Sequence, residues 1–425
     1  GWDISGQEMV ARLAHRLRGD PARGLTIFAV TGTNGKTTIS YLVRAICKAA
    51  GRGCGLISTV EIDNGFQVRE SVMTTPGPVE LADLFAEMKA NGVSTVSMEA
   101  SSHALDQGRM AGFQVAVAMF SNLTGDHLDY HKTMENYASA KARLFASLSA
   151  GSWAIVNADD PWSSRMIQGC AARVIRYGLD KPADFKADIL QMDALGTTLR
   201  ICHPGGSPWT IRTELVGRHN VLNILCAVAA CVSQGIAAPE IQLGLGQMRA
   251  VPGRLEAVEV EGKSRHELPF QVLVDYAHTH DALENVLRAI RPWTRGRIIC
   301  VFGCGGDRDA TKRPKMAAVA QRLADQIIIT NDNPRTEDPQ SIIAMILAGF
   351  SAEARAAVRV CPDRRSAIES AIEEARVGDV VLIAGKGHER YQILGDVKHP
   401  FDDVAVARAA LAERWTAVNG AEAAT

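Results

Sequence analysis

The chain has no stretch approaching the roughly 18 uninterrupted apolar residues that a membrane-spanning helix needs, and no basic amphipathic run that would favour a membrane surface. An excess of one charge sign is also missing. Forty-six basic and 47 acidic residues give a formal net charge of −1, so there is no electrostatic case for nucleic acid as a partner. The nine cysteines are scattered and include no C-x-x-C pair. That argues against a zinc site or a disulfide framework and fits reduced thiols. Gly1-Trp2-Asp3-Ile4 lacks the basic and apolar regions of a secretory leader, so a cytoplasmic location is expected. Internal repeats and low-complexity tracts are absent too.

What is present is a globular chain of 425 residues, long enough for two domains of ordinary size. Its 37 glycines suit many tight strand-to-helix turns. Strand-like apolar runs at 25–30, 93–98, 115–120, 271–276, 298–302, 326–330 and 380–384 alternate with helix-period segments, such as those at 39–46 and 281–290. That alternation predicts α/β architecture with mainly parallel strands. Residues 185–215 read differently, as a small antiparallel insert. Periodicity is weakest near Val251-Pro252-Gly253-Arg254, where a domain boundary is placed. The tail Gly420–Thr425 is expected to fray.

Thr31-Gly32-Thr33-Asn34-Gly35-Lys36-Thr37-Thr38 follows a strand and opens a helix. Backbone N–H groups in such a turn, with a helix N-terminus behind them, form a nest for phosphate oxygens. Lys36 is placed to reach the terminal phosphates of a nucleotide, and Thr37 to hold magnesium. Only two residues separate Gly32 from Gly35, fewer than in the usual phosphate loop. The loop predicts phosphate binding and does not separate motor, kinase and ligase. Taken alone, Glu99 and His127 read as ordinary polar residues and Lys141 as a helix-surface lysine.

With Met98-Glu99-Ala100-Ser101-Ser102-His103, Asp126-His127-Leu128-Asp129-Tyr130-His131 and Asn220-Val221-Leu222-Asn223, this loop resembles the Mur ligases of peptidoglycan synthesis. Val274-Asp275-Tyr276-Ala277-His278-Thr279, Gly303-Cys304-Gly305-Gly306-Asp307-Arg308-Asp309, Asp332-Asn333-Pro334-Arg335 and Ala384-Gly385-Lys386-Gly387-His388-Glu389 extend the resemblance to the branch that adds meso-diaminopimelate. It runs from about Gly24 to the C-terminus. It implies a central P-loop ATPase-like domain at 24–252 and a C-terminal Rossmann-like, amino-acid-binding domain at 253–425 that closes over it. Residues 1–23 would then be a linker, with Gln7–Arg18 the helix that ends a preceding uridine-diphosphate-binding domain.

The resemblance also assigns roles. Lys36, Glu99, His127 and Lys141 would be catalytic. Gly32, Thr33, Asn34, Gly35, Lys36, Thr37, Thr38, Asn220, Arg254, Asp275 and His278 would hold ATP. Two magnesium ions would be held by Thr37, Glu99, His127 and Lys141, the last as a carbamate made from CO2. An ammonium cannot ligate a cation, whereas a carbamate supplies anionic oxygens on a long stem. Thr74, Thr75, Ser102, Gln107 and Arg109 would line the channel for the muramyl-peptide donor. Arg308, Asp332, Asn333, Pro334, Arg335, Gly385 and Glu389 would bind diaminopimelate, whose second carboxylate a guanidinium can grip bidentately.

The expected reaction is ATP-dependent, ADP-forming amide ligation through an acyl-phosphate, carried out by a monomer. Met73, Gly125 and His280 depart from the family pattern, and only Gly1–Val30 precede the loop. Two other readings follow from the same residues: a ligase acting on a donor without a nucleotide, in recycling or secondary metabolism, and a non-catalytic ATP-binding scaffold.

Overall fold

The computed structural model describes residues 6–263 and 267–422, with the side chains of 416–422 left aside. The chain forms two compact units. One comprises the residues up to Gln191 with Gly196–Glu214 and Arg218–Arg249; the other comprises Met192–Leu195, Leu215–Gly217 and the residues from Ala250 on.

The first unit is built on an eight-stranded sheet in the order Val68–Glu70, Glu61–Asp63, Cys54–Ile57, Thr95–Glu99, Thr26–Thr31, Val117–Phe120, Trp153–Asn157, Arg173–Tyr177. The six strands from Cys54–Ile57 onward are mutually parallel, and the two at the first edge are antiparallel. Thr26–Thr31 is central and wholly apolar but for its ends. It continues through a glycine turn into the helix Lys36–Ala49, whose Ile39, Leu42, Val43 and Ile46 are fully buried. Register places Val30 opposite Glu99 and Thr31 opposite Phe120. Three strand ends therefore meet at one edge, where ligands of open α/β sheets bind. The helix Gly6–Leu17 covers the sequence read as a domain-ending helix. The expected insert is a three-stranded sheet, Trp209–Thr213, Gly196–Cys202 and Lys186–Asp193, with antiparallel pairing between the first two.

The second unit holds a six-stranded sheet in the order Glu256–Ala257, Gln271–Asp275, Val380–Ala384, Ile298–Phe302, Gln326–Ile329, Arg359–Val360. All pairs but the first are parallel. Alternate residues face two separate cores: Cys300, Phe302 and Leu382 meet the helices at 280–290, 312–323 and 339–347, while Val301, Val381 and Ile383 meet those at 364–374 and 403–422. This is the period-two burial of a sheet covered on both faces. A hairpin of Tyr391–Leu394 and Val397–Pro400 follows. Strand ends differ from the sequence-based expectation by one or two residues, as hydrogen bonding at element ends allows. The last helix, Asp403–Glu422, takes in the start of the tail expected to fray, and Ala423–Thr425 lie outside the described residues. His280 occupies the first turn of the helix it opens, behind the Thr279 cap, a position that proline also tolerates.

Arg364 and Asp403 form a completely buried fork, Nε to Oδ1 at 2.8 Å and Nη2 to Oδ2 at 2.7 Å, and Nη2 also donates to the Ala384 carbonyl. Asp403→Asn turns an amide N–H toward the guanidinium and leaves the cation uncompensated. Urea denaturation is expected to show a loss of about 3–5 kcal/mol. Replacing both residues by Met and Leu should recover much of it.

Candidate active site

In the first unit the loop 32–35 is held from outside by the segment that follows Val117–Phe120. Thr33 N–H donates to the Asn122 carbonyl at 2.8 Å, and Asn34 N–H to Asn122 Oδ1 at 3.0 Å. Ser121 Oγ and Asn122 Nδ2 both donate to the Asn34 carbonyl, and Thr124 N–H to Thr33 Oγ1. Two N–H groups of the nest are thus directed at Asn122, which leaves a phosphate to the helix end from Gly35 on, where the dipole favours an anion. Gly35 is left-handed, with φ 88°, and a Cβ there would run into Asn223 Oδ1. Asn223 Nδ2 donates to Asn220 Oδ1 at 3.1 Å, so the asparagine pair is packed beneath the turn.

Two lysines converge on a single acceptor. Lys36 Nζ donates to the carbonyls of Gly32 at 3.0 Å and Thr33 at 2.8 Å; Lys141 Nζ donates to the same Gly32 carbonyl at 2.8 Å and lies over the Tyr137 ring. Lys141 is fully buried, and burial, reinforced by Lys36, drives its amine well below the ordinary lysine range. An amine that sheds its proton is the form that can attack CO2.

Glu99 is buried at its strand end and accepts from Thr59 N–H at 2.8 Å and Thr59 Oγ1 at 3.0 Å. With that proton committed to the carboxylate, Thr59 Oγ1 accepts from Thr74 Oγ1 at 3.1 Å. Thr75 Oγ1 donates to the Glu99 carbonyl and accepts from Ser101 N–H, joining the threonine pair to the strand. Arg109 binds Gln107 Oε1 through Nε and Nη2, donates to the Thr75 carbonyl, and lies 3.7 Å from Met73 Sδ. Arg109 and Gln107 thus form one clip against the Thr75 backbone.

His127 has φ 54° and caps a short helix; its N–H donates to Asp126 Oδ1. Its ring packs edge-on to His103 at 5.0 Å, and His131 Nε2 pairs with Ser102 Oγ at 2.9 Å. Desolvation of the half-exposed His127 ring, with Lys36, His103 and Lys141 nearby, outweighs Asp126 and lowers its pKa. Among the described residues no group of three or more His, Cys, Asp and Glu side chains stands ready to hold a metal. A hard divalent cation wants oxygen ligands. Of the residues expected to hold such an ion, Thr37 and Glu99 offer oxygens, whereas an ammonium at Lys141 would repel it, so Lys141 fits the set only as a carbamate.

In the second unit Asp275 is buried, with Oδ2 accepting from Leu255 N–H at 2.7 Å and Oδ1 from Ala277 N–H at 2.8 Å. Burial pushes its pKa up to about 6 against the pull of Arg254. The Arg254 guanidinium lies over the Tyr276 ring at 4.5 Å, and His278 and His388 flank the same ring. Gly253 and Gly387 pass so close that a Cβ on either would collide with the other strand of this junction.

Asp332, Asn333 and Pro334 are buried after the strand Gln326–Ile329, and Arg335 follows with φ 54°. Arg335 Nη1 donates to the Gly306 carbonyl, and its backbone bridges to the hairpin through Ile393 and Gly395. Asn333 Nδ2 donates to Glu389 Oε2 at 2.7 Å. Gly385 sits where a Cβ would press on Asp332. Arg308 is exposed and bonded to its neighbour's carbonyl. Sequence reasoning overlooked Thr59, Asn122, Asp126, Tyr137 and Asn223. Asp126 and Asn223 lay in motifs already singled out.

Residues 30–231 match the Mur ligase middle domain, and residues 253–387 match the glutamate ligase domain of Mur ligases. The UDP-N-acetylmuramoyl-L-alanyl-D-glutamate–2,6-diaminopimelate ligase of Geobacillus kaustophilus is 47% identical over 411 residues, covering 95% of this chain and 82% of that protein. The chain belongs to the Mur ligase family. The ligase of the same name from Thermosynechococcus vestitus is 46% identical, covering 95% and 80%. A solved diaminopimelate ligase superposes with a TM-score of 0.67 at 34% identity, over 96% of this chain and 83% of that one. Mycobacterium tuberculosis folylpolyglutamate synthase, at 18% identity with coverage of 95% and 94%, shares the fold with a TM-score of 0.72. Among the described residues of this Mur ligase no helix is long and apolar enough to cross a membrane.

Gly35→Ala combines left-handed strain of about 1–2 kcal/mol with the collision at Asn223. It should lower the melting temperature and weaken ADP binding in a calorimetric titration. Adding Asn223→Ala should relieve the collision but not the strain, giving partial recovery of both.

Proposed function

We propose that this Mur ligase adds meso-diaminopimelate to the D-glutamate carboxylate of UDP-N-acetylmuramoyl-L-alanyl-D-glutamate, consuming ATP, in peptidoglycan precursor synthesis. The observation that carries the reading is the pairing of a complete nucleotide-side set with the Asp332–Arg335 turn, in a chain nearly half identical to ligases bearing that name.

The chemistry divides between the sets. A donor carboxylate oxygen attacks the γ-phosphorus, ADP departs, and an acyl-phosphate forms. The acceptor amine nitrogen then attacks the acyl carbon, phosphate leaves, and the nitrogen gives up a proton to complete the amide. Lys36, on the loop carbonyls, is positioned to follow phosphate charge as it moves, and the Lys36–Ala49 helix end meets the remaining phosphate oxygens. Thr74, Thr75 and the Gln107–Arg109 clip orient the donor, with Arg109 presenting a cation to an acidic peptide. Thr37, Glu99, His127 and Lys141 as its carbamate would hold magnesium, which supplies charge neutralisation between phosphate oxygens. Asn220, Arg254, Asp275 and His278 serve the nucleotide. Asp275, both of whose oxygens hold backbone N–H groups, acts by fixing the turn that presents Arg254. Arg308, Arg335, Asp332, Asn333, Gly385 and Glu389 receive the acceptor's two amino-acid ends.

Three measurements test this. Phosphate release with the muramyl-dipeptide donor should be fast with diaminopimelate and at least tenfold slower with lysine; equal use of both would overturn the acceptor assignment. Arg335→Ala should raise the Michaelis constant for diaminopimelate by a factor set by roughly 2–5 kcal/mol and leave that of ATP nearly unchanged. Lys141→Ala should be almost inactive and partly rescued by short carboxylates, and the unmutated enzyme should lose activity when CO2 is stripped from the buffer and regain it with bicarbonate. A fully active Lys141→Ala enzyme would remove the carbamate from the mechanism.

A further inference from the structure

Lys386 lies between the strand Val380–Ala384 and the hairpin, completely buried, and none of the roles above uses it. Its ammonium donates to Asn333 Oδ1 at 2.9 Å and stands 3.8 Å from Asp332 Oδ1 and 3.6 Å from Glu389 Oε2. Ile393 N–H donates to the same Asn333 oxygen at 3.0 Å, while Asn333 Nδ2 donates to Glu389. An amide oxygen facing an ammonium and an N–H can only accept, and an amide nitrogen facing a carboxylate can only donate. The Asn333 side chain therefore has one permitted orientation. A flipped amide would set N–H against N–H.

Resting on the acceptor reading above, we propose that Lys386 is a positioning residue of the acceptor site: its buried ammonium fixes the Asn333 amide and sets the spacing and charge balance of the Asp332 and Glu389 carboxylates that meet the incoming amino acid. Without the cation, two carboxylates are left facing each other across one amide. Glu389 is surrounded by Asp332, Arg335, Lys386, Asn333, Tyr276 and Arg364. Burial and Asp332 raise its pKa, and Lys386 holds it down. Removing that hold moves its protonation to higher pH.

The test is steady-state kinetics of Lys386→Met, which keeps length and burial without charge, using the best amino-acid acceptor of the unmutated enzyme. The Michaelis constant for the acceptor should rise at least tenfold, that for ATP less than twofold, and the acid limb of kcat/KM for the acceptor should move to higher pH. Lys386→Arg, which keeps a cation but displaces it from Asn333, should leave the acid limb in place and raise the acceptor constant. It supplies the decisive comparison should the Met variant fail to fold by circular dichroism. An unchanged acceptor constant and acid limb, or a fall in kcat alone, overturns the positioning role. Failure of diaminopimelate as the acceptor counts against the function proposed above and leaves this comparison intact.

Discussion

The Gly32 carbonyl, receiving both Lys36 and Lys141, is the contact on which the first unit's chemistry turns. Burying an ammonium costs several kcal/mol unless it is well paired. Here the partners are one carbonyl and the face of Tyr137, with a second ammonium beside it. No carboxylate closes the shell of Lys141 by hydrogen bonding among the described contacts, and Asp126 acts only at a distance. The arrangement is a poor resting place for a cation and a good one for a neutral amine. A lysine that is destabilised as an ammonium is primed to become something else, and the carbamate proposed for it would reverse the sign of its charge. The same carbonyl fixes the start of the phosphate loop, so loop shape and lysine reactivity share a cause.

The second unit solves the buried-lysine problem the other way. Lys386 meets an amide oxygen and two carboxylates, and the complementarity is complete enough to serve as scaffolding. Arg364, paired with Asp403, reinforces it from behind by holding the carbonyl of Ala384, the residue before Gly385. A buried cation with poor partners is reactive and one with good partners is structural. Amino-acid type alone does not tell the two apart.

That difference explains what could be read in the sequence. The strand–glycine turn–helix at Thr26–Ala49 was legible because apolar periodicity and turn chemistry are local, and the insert at 186–213 was legible through its alternation. Residues assigned to ligands by the proposed function were legible through motifs, since such spacing follows the ligand. The residues that hold those motifs in place were not. Asn122 reaches Asn34 across 88 positions, Thr59 reaches Glu99 across 40, and Lys386 reaches Asn333 across 53. Crossovers in a parallel sheet bring them together, and no local pattern marks their ends. Asp275 has a duty its motif did not reveal: each of its oxygens accepts a backbone N–H, from Leu255 and from Ala277.

The acceptor discrimination proposed above would follow from the same geometry. Arg335 is held by its left-handed backbone, by the Gly306 carbonyl and by the hairpin beyond it. Its guanidinium position is therefore set before any amino acid arrives, and little side-chain entropy remains to be lost on binding. A pre-placed cation helps an acceptor whose far end carries a carboxylate. It penalises one that ends in an ammonium, as lysine does, through like-charge repulsion and through desolvation without a partner. Sites built around a fixed polar group reject ligands lacking the complement more strongly than sites that merely favour the right one. On the proposed acceptor assignment, rigidity of the Asp332–Arg335 turn, maintained by Asn333, Lys386 and the hairpin, would be the source of selectivity, and a looser turn would bind both amino acids with similar strength.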